Sequence, residues 1–159
     1  MHKEITPPSS ICLFTDHEVK SKLKGKRKLG AFINQLIDHY TQQESHLQYI
    51  FVTDAFLLEM NRKYLAHDTY TDIITFDLSE KKSPLIEAEI YISTERVTDN
   101  AKQENVNYLH ELYRVIIHGA LHLCGFKDKT KSQKAVMRIV ETEWLEKYLT
   151  LQKEMSNKI

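Results

Sequence analysis

The stretch from Arg114 to Asp128, Arg-Val-Ile-Ile-His-Gly-Ala-Leu-His-Leu-Cys-Gly-Phe-Lys-Asp, restricts the chain more than any other. His118 and His122 are four residues apart, so in a helix both imidazoles stack on one face, one turn apart. Two imidazoles so held can grip one metal ion. Gly125 stands where the helix must end, because the residue just past a last helical turn is commonly a left-handed glycine. The turn there brings Asp128 back toward the same ion. Two nitrogens and one carboxylate oxygen leave a tetrahedral ion with one open position, which is the layout of a catalytic zinc site rather than a structural one. Without an ion, two imidazoles side by side on an apolar helix face would each need buried polar partners.

Around this helix the sequence predicts an α/β chain with four strands and about five helices. Ser10 to Thr15 reads as the first strand. Val19 to Thr41 has helical periodicity, with Leu29, Phe32, Ile33, Leu36, Ile37 and Tyr40 on one face. Gly25 and Gly30 weaken its first half, so a start near Lys26 is the alternative. Leu47 to Val52 is the second strand. Thr53 or Asp54 caps a helix to about Leu65, with Leu57, Met60 and Tyr64 inward. The polar residues 67–72 form a loop. Strands at Ile73 to Leu78 and Ile86 to Ser93 are separated by too few residues for a crossover helix, and are therefore antiparallel neighbours. Ser93 or Thr94 opens a helix to about Gln103, and Val106 or Asn107 opens the metal-binding helix, which ends near Cys124. Thr130 caps a last helix with Val136, Val140, Trp144 and Tyr148 in line. The polar tail after Leu151 is expected to fray.

Length and composition point the same way. The 159 residues, 42% of them hydrophobic, suit a single domain spanning 1–159. No apolar run approaches the length of a membrane span, the N-terminus lacks a signal-peptide core, and Cys12 and Cys124 make no disulfide framework. These features predict a cytoplasmic protein with no membrane partner. A formal net charge of zero argues against strong non-specific nucleic-acid binding, and no DNA partner is expected. The charge is unevenly spread, however. Lys20, Lys22, Lys24, Lys26, Arg27 and Lys28 fall within nine residues. That run is either a solvated face or a grip on RNA phosphates, with Lys24, Lys26 and Arg27 the residues singled out.

The His-x3-His-x2-Gly-x2-Asp spacing is similar to two families. Metzincin-like zinc peptidases share the offsets, but carry a Glu directly after the first His as general base. Here that position is Gly119. The chain more closely resembles the YbeY family of rRNA maturation factors, whose motif reads His-Gly-x-Leu-His-Leu-x-Gly-Tyr-Asp-His. His118, Gly119, Leu121, His122, Leu123 and Gly125 match it, Phe126 stands for its Tyr, and Asp128 stands for its third His. Upstream, Met60-Asn61, Tyr64, Asp68, Thr71-Asp72 and Phe76 follow the family pattern, as does Ala88-Glu89-Ile90-Tyr-Ile92-Ser93.

The resemblance implies one α/β domain with a four-stranded mixed sheet, its single antiparallel edge strand bordering the cleft over the metal. It also implies one zinc per chain and an endoribonuclease specific for single strands. That enzyme would trim rRNA precursors at the small-subunit 3′ end and act in ribosome quality control, with the ribosome as partner. The family's phosphate-directed Arg is Leu65 here, and leucine neither neutralises nor hydrogen-bonds a phosphate. Arg114, one turn before His118, is the local candidate to replace it, unless an acid such as Glu111 pairs it. Arg62 and Lys63 are alternatives. Asp72, Glu89 and His67 are the candidate general bases. The rival expectations are a non-catalytic assembly factor that its metal merely stabilises, and a zinc peptidase.

Overall fold

A computed structural model of the protein describes residues 10–66 and 70–157. Its elements in chain order are β1 (Ile11–Asp16), α1 (Lys26–Thr41), β2 (Ser45–Val52), α2 (Asp54–Leu65), β3 (Ile73–Asp77), β4 (Ile86–Ser93), α3 (Thr94–Glu104), α4 (Tyr108–Leu123) and α5 (Lys131–Ser156). The strands form one sheet in the order β1-β2-β4-β3. β1, β2 and β4 run parallel, with Tyr49 of β2 opposite Phe14 and Ile90, and β3 pairs antiparallel with β4 at the edge. The expected mixed sheet, its antiparallel strand and the five helices are all present.

Strand alternation divides the core. One face of the sheet offers Phe14, Leu47, Tyr49, Phe51, Ala88, Ile90 and Ile92 to the main core, which α1, α4 and α5 complete. The other face is covered by α2, where Val52, Leu57 and Ile74 form a smaller cluster. Helix α4 runs through the middle of the main core, with Leu112, Ile116, Ile117, Ala120 and Leu121 fully buried. The Tyr49 hydroxyl donates to the Ile116 carbonyl (2.7 Å), pinning α4 to the central strand. Gly119 makes the close approach to the edge possible. A Cβ there would come within 2.9 Å of Ile73 and 3.2 Å of Ile90.

The structure chooses between the two expected starts of the first helix and departs from the sequence reading in three further details. Helix α1 starts at Lys26 after a left-handed Gly25, the later of the two, so residues 17–25 are not helical. In that segment Ser21 and Leu23 are buried while Lys20, Lys22 and Lys24 are exposed, the alternation of an extended stretch. In α2, Leu57, Leu58 and Asn61 point inward. Tyr64 is instead 59% exposed, with the Phe76 ring against its edge and the Lys63 ammonium over its face. In α5 the buried line is Met137, Glu141, Trp144, Leu145 and Tyr148, one residue away from the expected Val136 and Val140. A glutamate in that line breaks the apolar pattern, which hides the true register. The helix also continues to Ser156 rather than ending at Leu151.

Candidate metal centre

The face of α4 that carries His118 and His122 is built by two local devices. Asn107 caps its start, accepting from the backbone N–H of Leu109 and His110. At its end, Gly125 adopts φ +95°, its N–H bonds the His122 carbonyl (3.0 Å), and the Phe126 N–H bonds the Leu121 carbonyl (3.1 Å). That pair of bonds is a Schellman motif. The next helix begins with a capping box, in which Thr130 accepts from Gln133 N–H and the Gln133 side chain accepts from Lys129 and Thr130 N–H. Asp128 therefore sits in a short link that is fixed at both ends.

The result is a three-membered convergence. His118 Nε2 and His122 Nε2 lie 2.9 Å apart, and Asp128 Oδ2 lies 3.2 Å from the first and 3.4 Å from the second. Among the described residues this is the one group of His, Cys, Asp or Glu atoms close enough to share an ion. A tetrahedral zinc with bonds of about 2.0–2.2 Å keeps its ligand atoms roughly 3.3–3.6 Å apart, so the triangle fits, slightly compressed along the His–His edge.

Hydrogen bonds on the far side of each ring fix the tautomers. His122 Nδ1 donates to the Phe126 carbonyl (2.9 Å), an oxygen that can only accept. His118 Nδ1 meets Glu141 Oε2 at 2.5 Å. With both Nδ1 atoms committed as donors, both neutral rings turn bare Nε2 lone pairs toward each other and toward Asp128. Facing lone pairs repel unless a cation or a proton lies between them, and outer hydrogen bonds of this kind are how metal-binding imidazoles are oriented. Burial alone would lower the pKa of His118. The Glu141 hydrogen bond and the charges of Glu141, Asp128 and Asp72 outweigh it, and the net effect is upward. The surroundings of His118 thus favour a positive charge at its ring.

Asp72, from the turn before β3, stands beside the triad. Burial pushes its carboxyl up, with His118 opposing, and Asn100 Nδ2 donates to it (3.3 Å). Asp72, His118 and Asp128 are common to two cavities. One, of about 440 Å³, lies between α3, α4 and α5; the other, of about 860 Å³, runs along β3 beneath the end of α2. The triad sits on the saddle between them, and the antiparallel edge strand borders it as the resemblance implied.

The remaining sequence candidates are dispersed. Arg114 lines the first cavity, where its Nη1 contacts Glu141 (3.4 Å) and Thr142 Oγ1 (3.1 Å), so the acid it meets is Glu141 rather than Glu111. Leu65 lines the second cavity and brings no charge. Glu89 lies on the opposite face of the sheet, accepting from the Tyr91 hydroxyl (2.7 Å). His67 is outside the described residues. Lys24, Lys26 and Arg27 are exposed and line neither cavity. Tyr108, the first residue of α4, donates to the Ser21 carbonyl (3.0 Å), which puts the basic segment at that end of the helix. His118 is ten residues further on, a rise of about 15 Å. Gly119 faces the sheet, where a Cβ would press on the side-chain ends of Ile73 and Ile90, so a peptidase's glutamate would have to displace them. Sequence reading missed Glu141. Its only signal was an acid within an otherwise apolar helix line.

A four-stranded α/β fold with a His-His-Asp convergence at the end of a core helix defines the class: a protein with the donor set of a metal-dependent hydrolase. The comparisons then name the family. Residues 14–149 match the model of the family described as endoribonuclease YbeY, and the chain belongs to that family. It is 43% identical over 128 residues to an endoribonuclease YbeY of Cytophaga hutchinsonii, covering 80% of this chain and 89% of the relative. It is 40% identical over 139 residues to one from Amoebophilus asiaticus, covering 87% and 93%. The solution structure of a Thermotoga maritima protein superposes with a TM-score of 0.60 at 26% identity, covering 91% of this chain and 95% of that one. No helix among the described residues is long and apolar enough to cross a membrane.

Proposed function

We propose that the protein is a zinc-dependent endoribonuclease that cuts single-stranded segments of rRNA precursors at the small-subunit 3′ end. It works with the ribosome, in its maturation and quality control, in the cytoplasm. Membership of the endoribonuclease YbeY family supports an RNA phosphodiester as the bond that is broken. The observation that carries the metal reading is the pair of Nε2 lone pairs, 2.9 Å apart, with Asp128 3.2–3.4 Å away. Two nitrogens and one oxygen at tetrahedral spacing favour zinc among the common biological divalent ions.

His118, His122 and Asp128 hold the ion. When bound, it supplies Lewis acidity toward a phosphoryl oxygen and lowers the pKa of water. Asp72 takes the proton from the attacking water or RNA 2′-hydroxyl, since a carboxyl raised by burial beside the triad is poised for that exchange. Arg114, held by Glu141 and Thr142, offers the cation that Leu65 does not. A groove that continues across the saddle suits an unpaired strand better than a duplex. Lys24, Lys26 and Arg27 hold RNA phosphates away from the metal. Changing all three to Ala should flatten the log–log salt dependence of RNA binding by about 0.7 for each phosphate released; an unchanged slope makes the run a solvated face.

Metal analysis combined with cleavage of single-stranded and duplex rRNA 3′-end fragments tests the reading. The expected result is one zinc per chain and cleavage of single strands alone, stopped by chelation and restored by zinc. A folded protein that carries one zinc and cuts nothing would support the rival, a metal-stabilised assembly factor, which Leu65 in the cleft favours.

A further inference from the structure

We propose that the open edge of β3 is a docking site for an extended, uncharged peptide segment of a partner protein, which joins the sheet as a further strand beside the triad. The docking stands apart from the nuclease reading; only its effect on cleavage rests on that reading.

The hydrogen bonds of β3 define the edge. Ser93 N–H donates to the Asp72 carbonyl (3.0 Å) and Leu78 N–H to the Glu87 carbonyl (2.8 Å), at the two ends of the β3–β4 ladder. In an antiparallel pair, residues that exchange such bonds alternate with residues that do not. The register sets Ile74 against Tyr91 and Phe76 against Glu89, so Ile74 and Phe76 also direct their backbone groups at β4. The N–H and C=O groups of Ile73, Thr75 and Asp77 point the other way. No strand meets them, because β3 is the last in the sheet. Among the described residues only the Thr71 hydroxyl reaches that side, on the Ile73 carbonyl (3.3 Å).

Natural sheets blunt an exposed edge with lysine, proline or a bulge. β3, Ile-Ile-Thr-Phe-Asp, has none of these, and its register with β4 is unbroken. The edge is instead set in the groove of about 860 Å³, between Leu65 of α2 and His118, His122 and Leu123 of α4. β1, at the opposite edge of the sheet, lines neither cavity described above.

Charge and shape choose the occupant. Asp72, Asp77 and Asp128 line the groove against one cation, Lys129, so a divalent ion at the triad only brings the formal sum to zero. RNA laid along the edge would have its phosphates opposite Lys129 alone. A peptide backbone carries no charge and repeats its outward donors and acceptors every second residue, as β3 does. The side chains of an added strand alternate between the two walls, where Leu65, 43% exposed, and the partly buried Leu123 offer apolar contact. A strand seated there covers the β3 side of the triad and hinders RNA on its way to the ion.

The test uses the zinc-loaded protein and a mixture of random peptides of about six residues, a usual strand length, blocked at both ends. Affinity selection should recover peptides with alternating apolar residues. A recovered peptide should slow hydrogen exchange severalfold at the Thr75 and Asp77 amides, and should reduce RNA cleavage. Thr75→Pro deletes an outward N–H while sparing the ladder, which is where a strand tolerates proline. It should weaken peptide binding about tenfold, the scale of a hydrogen bond whose acceptor is left unpaired. Should that variant fail to fold, Leu65→Ser on the exposed wall should weaken binding severalfold. No peptide recovered, exchange slowed only away from β3, or unpaired RNA slowing the two amides where no peptide does, overturns the proposal. Exchange is read without cleavage, so a protein that takes the peptide and cuts nothing sinks the nuclease reading alone, and cleavage with no peptide bound sinks the docking site alone.

Discussion

His118 and His122 present the same atom to the same point, but they are aimed by opposite means. His122 is oriented by its own helix end. The Schellman turn at Gly125 swings the Phe126 carbonyl onto its Nδ1, four residues away in the chain. His118 is oriented from a different helix, by the carboxylate of Glu141, 23 residues further on. One imidazole therefore depends on local backbone geometry and the other on the docking of α5. The first support is neutral and indifferent to pH. The second is charged, and it raises the proton affinity of the ring that it holds. A site built this way has two separate supports: the turn at the end of α4 aims one imidazole, and α5 aims the other.

The largest expected effect removes the corner common to both supports. Asp128→Ala should lower zinc affinity by more than the roughly hundredfold seen when outer-shell partners are removed, whereas Asp128→His should retain the ion. Titration against a competing chelator checks this, and an Asp128→Ala protein that binds as tightly as the parent puts the third ligand elsewhere.

Next comes the charged support. Glu141→Gln should cost about 10–100-fold in zinc affinity. It should also change the pH profile. His118 has its folded pKa raised, so the stability its proton contributes is present below the unfolded value and is lost as pH rises through the folded one. Zinc competes for the same ring, so its affinity should fall as pH drops through that raised value. Glu141→Gln should move the fall to lower pH. An affinity curve with the same midpoint in both proteins would mean that Glu141 does not govern the ring.

The neutral support gives the smallest effect. Gly125→Ala puts a Cβ on a residue at φ +95°, at a cost of about 1–2 kcal/mol. That corresponds to a Tm about 3–6 °C lower for a chain of this length. Zinc affinity should drop less than in Glu141→Gln. The reverse order would mean that the turn, rather than α5, is the principal aiming device.

The same contrast explains what the sequence disclosed. The His122 half was legible, because its parts lie within eleven residues and each has a local meaning: an i, i+4 pair, a glycine stop and an acid just beyond. The four-stranded mixed sheet and its antiparallel edge followed from the family resemblance and from the short β3–β4 link, whereas the strand order came only from the structure. Glu141 was not legible, because its role exists only once α5 packs on α4, and valines at 136 and 140 offered a more convincing apolar line. The exposure of Tyr64 was hidden for a related reason: helical periodicity gives the inward face but not what covers each residue on it. For Lys24, Lys26 and Arg27 the chain advertises charge without position, and only the Tyr108–Ser21 hydrogen bond sets them at the opposite end of α4 from the imidazoles.

Gly119 carries a consequence for how this protein can evolve. The side-chain ends of Ile73 and Ile90 occupy the space that a Cβ there would need. A change to glutamate would write the metzincin-like base into the sequence, yet that side chain would start out among those two isoleucines, on the sheet side of the helix. The neighbouring chemistry is close in sequence but asks packed side chains to move in structure, so change is easier among the acids and cations around the triad.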